Sequence, residues 1–195
     1  MTTEKNAPLP REGLAGVLDR LAGPGATQAE LALQFLLPLV AAVTAVFYVA
    51  LSEVAHWSTL QYLVCALLAF DLVGGIVTNA SSSGKRWYHR ASQGPLQHTG
   101  FIALHVVHLA LVSWLFLGLD VAWLTTAAAY LLIAGTAIIC TPAYLQRPVA
   151  LIMYTGSLLM ALYVLKAPVG LEWFLPLFYL KLLVAHLPKE ATETP

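Results

Sequence analysis

Residues 57–78 read WSTLQYLVCALLAFDLVGGIVT, and Asp71 is the only charged side chain in the stretch. A run this long and apolar crosses a hydrocarbon core of about 30 Å as a single helix, which takes roughly 20 residues. A carboxylate is what such a helix normally excludes, at about 2.5–3.5 kcal/mol near its centre. The segment therefore implies two things: the chain is membrane-embedded, and something within it must answer Asp71.

The same pattern recurs on both sides. The chain has 195 residues, 59% hydrophobic and 10% charged, with a mean hydropathy of +0.75, where a soluble domain carries about 25% charged residues. The spacing predicts an all-α integral membrane protein of six transmembrane helices, at 31–51, 57–78, 99–119, 121–140, 149–165 and 171–187. Thr27-Gln28-Ala29-Glu30 has the form of a capping box and opens the first, with Pro38 as a kink. A polar loop from Asn79 to His98 separates the second and third. Asp120 marks a tight turn, Thr141-Pro142 and Arg147-Pro148 bracket a short loop, and Lys166-Ala167-Pro168 ends the fifth helix. Upstream, residues 1–26 form a polar segment without the apolar core of a cleaved signal peptide. Within it Leu14, Val17, Leu18 and Leu21 recur opposite Arg11, Glu12, Asp19 and Arg20. That is a short amphipathic helix on the membrane surface, stopped by Gly23-Pro24-Gly25. Residues 27–189 form the membrane domain and 190–195 a tail.

Orientation follows from the cations. Lys5, Arg11, Arg20, Lys85, Arg86, Arg90, Arg147 and Lys189 fall on one side of the predicted topology, Lys166 alone on the other. The positive-inside rule puts the crowded side, and both termini, in the cytoplasm. Trp57, Trp87, Trp114, Trp123 and Trp173 all lie near predicted helix ends, as interfacial aromatics do. Compact loops without a sorting signal point to a bacterial inner membrane. Ten basic residues balance ten acidic ones with no basic array, so the expected partners are the bilayer and a lipophilic small molecule, not nucleic acid. A homo-oligomer would enlarge so small a bundle. Cys65 and Cys140 fall at different depths and form no C-x-x-C pair, which argues against a disulfide framework or a cysteine metal site.

Four ionisable residues remain within the predicted spans: Asp71, His105, His108 and Lys181. Measured from the cytoplasmic helix ends they lie roughly 6–11 Å deep, in one layer. His98, His105 and His108 project within one arc of about 80°. Asp71 shares its side with Gly74, Gly75 and Thr78, small residues that let another helix approach. The predicted catalytic set is therefore Asp71, His105, His108 and Lys181, with Asp71 as general acid or base. Asp71, His105 and His108 are also a candidate ligand set for a divalent metal. The loop supplies Asn79, Lys85, Arg86, His89 and Arg90 around Trp87 and Tyr88, followed by His98. Those residues could hold a lipid, isoprenoid or nucleotide phosphate, although a topology-setting loop has the same composition. The G-x-x-x-x-G-K-[ST] spacing of a soluble phosphate loop is absent.

Ser52-x-x-x-His56 with Asp71 further along resembles the pattern of membrane hydrolases of the alkaline ceramidase and adiponectin-receptor type. That family adds a paired H-x-x-x-H late in the chain and a seventh helix. The last helix here offers only His186, so none of its roles transfers to these residues.

The leading expectation is an integral membrane enzyme acting on a lipid or isoprenoid-like substrate from the cytoplasmic side, as an isomerase, hydratase, cyclase or hydrolase. No G-x-S-x-G nucleophile motif is present. Haem is disfavoured, because the deep histidines sit on one helix and do not face one another across a bundle. A small proton-coupled transporter or relay subunit uses the same residue types but lacks a visible repeat or discontinuous pair of helices. A structural or assembly subunit would use the polar layer only for packing.

Overall fold

The computed structural model describes residues 8–52 and 55–189; Lys5 and the tail 190–195 lie outside them. The chain order is α1 (Gly13–Ala22), α2 (Gln28–Ser52), α3 (Thr59–Ala80), α4 (Ser82–Tyr88), α5 (Pro95–Leu104), α6 (Val106–Phe116), α7 (Val121–Ile139), α8 (Ala143–Tyr163) and α9 (Phe174–Tyr179). A π-helical segment, Leu180–His186, continues α9. The described residues contain no strand. α2, α3, the α5–α6 pair, α7 and α8 are each long and apolar enough to cross a membrane, while Phe174–His186 is apolar but shorter. The architecture is that of a helical, multi-pass membrane protein.

Local chemistry sets the boundaries. Thr27 Oγ1 accepts from the Glu30 amide at 3.1 Å and Glu30 Oε2 from the Thr27 amide at 2.8 Å, closing the capping box that starts α2. Ser58 and Gln61 make the same reciprocal cap at α3, satisfying amides that have no partner within the helix. Asp120 Oδ1 caps Trp123 N at 2.9 Å. The turn before it needs positive φ at both Gly118 (62°) and Leu119 (64°).

Three expectations change. The stretch from Asn79 to His98 is not a loop: α3 extends to Ala80, α4 fills Ser82–Tyr88, and α5 starts at Pro95. Ser81 makes this compact, because its Oγ donates to Thr78 O at 2.7 Å and accepts from Gly84 N at 3.2 Å. It closes one helix and opens the next. Similarly, Pro142 is the N-cap of α8 and Pro148 lies inside it, so these prolines start the helix instead of bounding a loop. A membrane helix tolerates an interior proline where its surroundings satisfy the freed carbonyl. Trp123 is buried at 4% exposure, so it is a core residue and not an interfacial one.

The core runs along one side of α3, where Cys65, Leu68 and Leu72 meet Ile102, Leu109, Leu131 and Phe178. α2 packs along α3 and turns Leu36, Leu39, Val40, Val43 and Phe47 outward. α8 does likewise with Leu151, Ile152, Leu159 and Leu162. Apolar rows pointing away from the protein are what lipid-facing helices present.

Candidate functional site

Asp71 is answered by two residues from different helices. Lys181 Nζ donates to its Oδ2 at 2.6 Å, and His108 Nε2 lies 3.2 Å from the same oxygen. The Lys181 side chain is 4% exposed whereas that of Asp71 is 44% exposed, so the ammonium is enclosed and the carboxylate faces an opening. Gly75 makes room for this. A Cβ there would stand 2.3 Å from Lys181 Cε and 2.8 Å from its Cδ. Gly74 performs the same service toward α2, where a Cβ would meet Pro38 Cγ at 3.2 Å. The small-residue face of α3 thus admits a lysine on one side and a helix on the other.

His105 breaks its own helix. Its amide bonds Ile102 O at 3.1 Å and His108 N bonds His105 O at 3.0 Å, both i→i+3 contacts. The Phe101 carbonyl, which an α-helix would pair with the His105 amide, instead accepts from His105 Nδ1 at 2.8 Å. A side chain competing for the i−4 carbonyl is a known cause of a local break. His105 and His108 then stack with centroids 5.0 Å apart and planes 9° apart.

Asp71, Lys181 and His105 open onto a cleft of about 320 Å³, with Gly74, Gly75, Thr78 and Asn79 on the same wall. Phe35, Phe70 and Phe101 supply apolar lining, and Phe35 and Phe70 are each 37% exposed, so the rim gives onto the surface that α2 and α3 turn outward. Leu21 and Ala22 of α1 close another edge. The last carbonyls of α1 are gripped from three sides. Tyr88 OH lies 3.1 Å from Leu21 O, Ser83 Oγ donates to Ala22 O at 3.1 Å, and Gln34 Nε2 donates to it at 3.2 Å. Gly23, at φ +90°, lets the chain pass so close that a Cβ would lie 2.4 Å from the Ser83 carbonyl. On α1 the buried residues are Gly16, Asp19 and Ala22, while Leu14, Val17, Leu18 and Leu21 face outward. Asp19 pairs with Arg11 at 2.7 Å, whose hydrogen bonds bring its carboxyl down to about 2.

A second polar cluster lies beside the first. His186 Nδ1 is 2.9 Å from Asn79 Oδ1 and His186 Nε2 is 3.2 Å from His98 Nδ1. Because Asn79 Nδ2 donates to Gly75 O at 2.7 Å, its Oδ1 is the acceptor. The network assigns His186 as protonated at Nδ1 and accepting from His98 at Nε2. The π-helical register makes this compact: residues five apart lie roughly 50° apart around an i→i+5 helix, against about 140° in an α-helix. Lys181 and His186 therefore both turn inward to α3. The end of the segment is held by Lys85 Nζ, 2.7 Å from Pro188 O and 3.3 Å from His186 O, and by His89 Nε2, 2.8 Å from His186 O. Burial, with Lys85 nearby, lowers the His89 imidazole to about 4.

Of the predicted catalytic set, Asp71, His108 and Lys181 meet directly, and His105 stacks on His108. The predicted phosphate-binding set does not assemble. Lys85 and His89 hold the carbonyls of His186 and Pro188, and His98 belongs to the His186 cluster. Arg90 folds onto its own turn, donating to Trp87 O at 2.6 Å with its guanidinium 3.8 Å from the Trp87 ring centroid. Arg86 does not line the cleft, and only Asn79 of this set does. The expected metal set fails on geometry too. His105 spends Nδ1 on a carbonyl, and parallel rings do not converge their nitrogens. No group of three His, Cys, Asp or Glu among the described residues could hold a metal ion. Ser52 donates to its own helix, at Tyr48 O, and not to Asp71. Sequence reasoning placed Tyr88 beside a phosphate and not at the cleft, and it missed Gln34 and Phe101. A lone glutamine in the first span was the visible signal for Gln34, buried at 3% exposure; nothing local marked Phe101.

No protein family, curated protein or solved structure matches this chain.

Proposed function

We propose that this chain is an integral membrane enzyme that removes a proton from a lipophilic substrate, or from water beside it, in the cleft headed by Asp71. The observation that carries this reading is the asymmetry of the Asp71 pair. Lys181 and His108 both bond Oδ2, which leaves Oδ1 for a substrate proton while the carboxyl group is held in position. Lys181, enclosed behind it, supplies the balancing positive charge. The aromatic lining and outward rim suit a hydrocarbon chain entering sideways from the bilayer, with α1 across the membrane-surface edge. Six crossings with both termini in the cytoplasm, and a bacterial inner membrane, complete the proposal. A proton relay along the rings is less well supported: Phe101 stacks between His186 (4.0 Å) and His105 (4.5 Å), and a phenyl ring passes no proton.

The test incubates the purified, reconstituted protein with the total lipid extract of its expression host and compares lipid profiles by mass spectrometry. Wild type should convert at least one lipid class, and Asp71→Asn should slow that conversion by about 10²-fold or more. If wild type and Asp71→Asn leave identical profiles, the enzyme reading is wrong.

A further inference from the structure

The side-chain donors on the wall of the Asp71 cleft each hold a protein acceptor already. His105 Nδ1 donates to Phe101 O at 2.8 Å and Asn79 Nδ2 to Gly75 O at 2.7 Å. Gln34 Nε2 donates to Ala22 O and Ser81 Oγ, and the Tyr88 hydroxyl bonds the carbonyls of Arg20 and Leu21. Lys181 Nζ is held against Asp71 Oδ2 at 2.6 Å. The groups left open are of the opposite kind. Asp71 Oδ1 has no partner among the described residues, and Gln34 Oε1 is buried without one. The neutral His105 ring, protonated at Nδ1, offers Nε2 as a further acceptor. Thr78 brings a hydroxyl to the same wall, and a hydroxyl can act either way.

A wall of open acceptors selects a ligand that donates. A carboxylate or phosphate head would set its oxygens against Asp71 Oδ1, with the nearest cation already bound. An ammonium head would donate, but it would bring a second cation to a carboxylate that Lys181 balances, and would give up its hydration for no net counter-charge. A hydroxyl donates without that cost. We propose that the molecule taken by this cleft is an uncharged lipophilic alcohol, its hydroxyl donating to Asp71 Oδ1 and its chain leaving past Phe35 and Phe70 toward the bilayer. The volume of about 320 Å³ is at the small end of ligand pockets, roughly 300–1,000 Å³. It suits the head and first carbons of a single chain. This deepens the enzymatic reading and rests on it: the hydroxyl is the group whose proton Asp71 faces.

The full-length protein in phosphatidylcholine nanodiscs would be photolabelled with dodecyl probes that share a diazirine in the chain and differ in the head: alcohol, carboxylic acid or primary amine. Mass spectrometry of the digested protein would locate the adducts. The alcohol should label the α2 and α3 peptides that carry Phe35 and Phe70, and plain dodecanol should compete it away. The acid and the amine should label those peptides about tenfold less. The charge-balanced double variant Asp71→Leu with Lys181→Met should lose the preference, and the ranking of heads on wild type decides the matter even if that variant does not fold. Equal labelling by all heads, a preference for acid or amine, or an alcohol preference unchanged in the double variant would overturn the proposal and leave the enzymatic reading standing. Identical lipid profiles in wild type and Asp71→Asn would instead overturn the enzymatic reading, and alcohol-selective labelling would then mark a binding site and not a substrate.

Discussion

Lys181 depends on Asp71 more than Asp71 depends on Lys181. The lysine is almost wholly enclosed and the aspartate is open to the cleft. Removing the carboxylate by Asp71→Ala leaves a buried ammonium unpaired, which should destabilise the protein by roughly 3 kcal/mol. Adding Lys181→Met should recover much of that loss, because the unpaired charge goes with it. Denaturant unfolding in detergent would measure both, and a double variant no more stable than Asp71→Ala would contradict the pairing. Gly75→Ala probes the same contact without touching a charge. Its methyl group must displace the flexible end of Lys181, so the enclosed ammonium is pushed from its carboxylate and stability should fall toward that of Asp71→Ala, by up to roughly 3 kcal/mol. Lipid conversion should fall in Gly75→Ala, and Lys181→Met added to it should recover stability but not conversion.

At the scale of elements, α1 and α4 are joined by contacts that leave no space for a side chain at Gly23. Gly23→Ala adds a Cβ into the Ser83 backbone and forces a non-glycine residue to φ +90°, a combination costing at least about 1 kcal/mol. The expected outcome is a detached α1, read as faster tryptic cleavage after Arg20 in the intact protein. Cleavage at the wild-type rate would mean the helix is held elsewhere. The junction of α4 with the π-helical segment carries a pH dependence. His89 is neutral in the folded state with a value near 4, against about 6.5 when unfolded. The unfolded chain binds the extra proton between those values, so this contribution is fully present above pH 6.5 and is lost as pH falls toward 4. Tm should therefore drop between pH 6.5 and 4, and His89→Gln should make that drop shallower.

Across the whole molecule, the contact of Lys85 with Pro188 brings the end of the last helix to α4, and α4 grips α1. If Phe174–His186 completes a sixth crossing, Ser92→Cys and Lys189→Cys should react with a membrane-impermeant maleimide from one side and Val169→Cys from the other. Lys189→Cys labelling from the side of Val169→Cys would reduce the bundle to five crossings and reverse the C-terminus. These positions suit the test: Ser92 and Lys189 are exposed and Val169 is 54% exposed. Native Cys140 is also exposed and Cys65 is buried, so Cys140→Ser supplies the background.

Hydropathy determined the five long apolar helices, because a span must satisfy its own backbone and exclude charge wherever it meets lipid. Thr27 with Glu30 was readable for the same local reason: the cap is closed within four residues. Asp71, His108 and Lys181 could be matched by depth, since rise per residue is a property of the helix alone. The polar stretch after Asn79 could not be read as a helix and its caps, because Ser81 serves two helices at once. Tertiary structure also decided the turn at Lys181. Whether Leu180–His186 winds as an α- or a π-helix depends on packing against α3 and on the grip of Lys85 and His89, contacts roughly a hundred residues distant in sequence. That winding brings Lys181 and His186 to one face, and Gly75 gives Lys181 the space to reach Asp71.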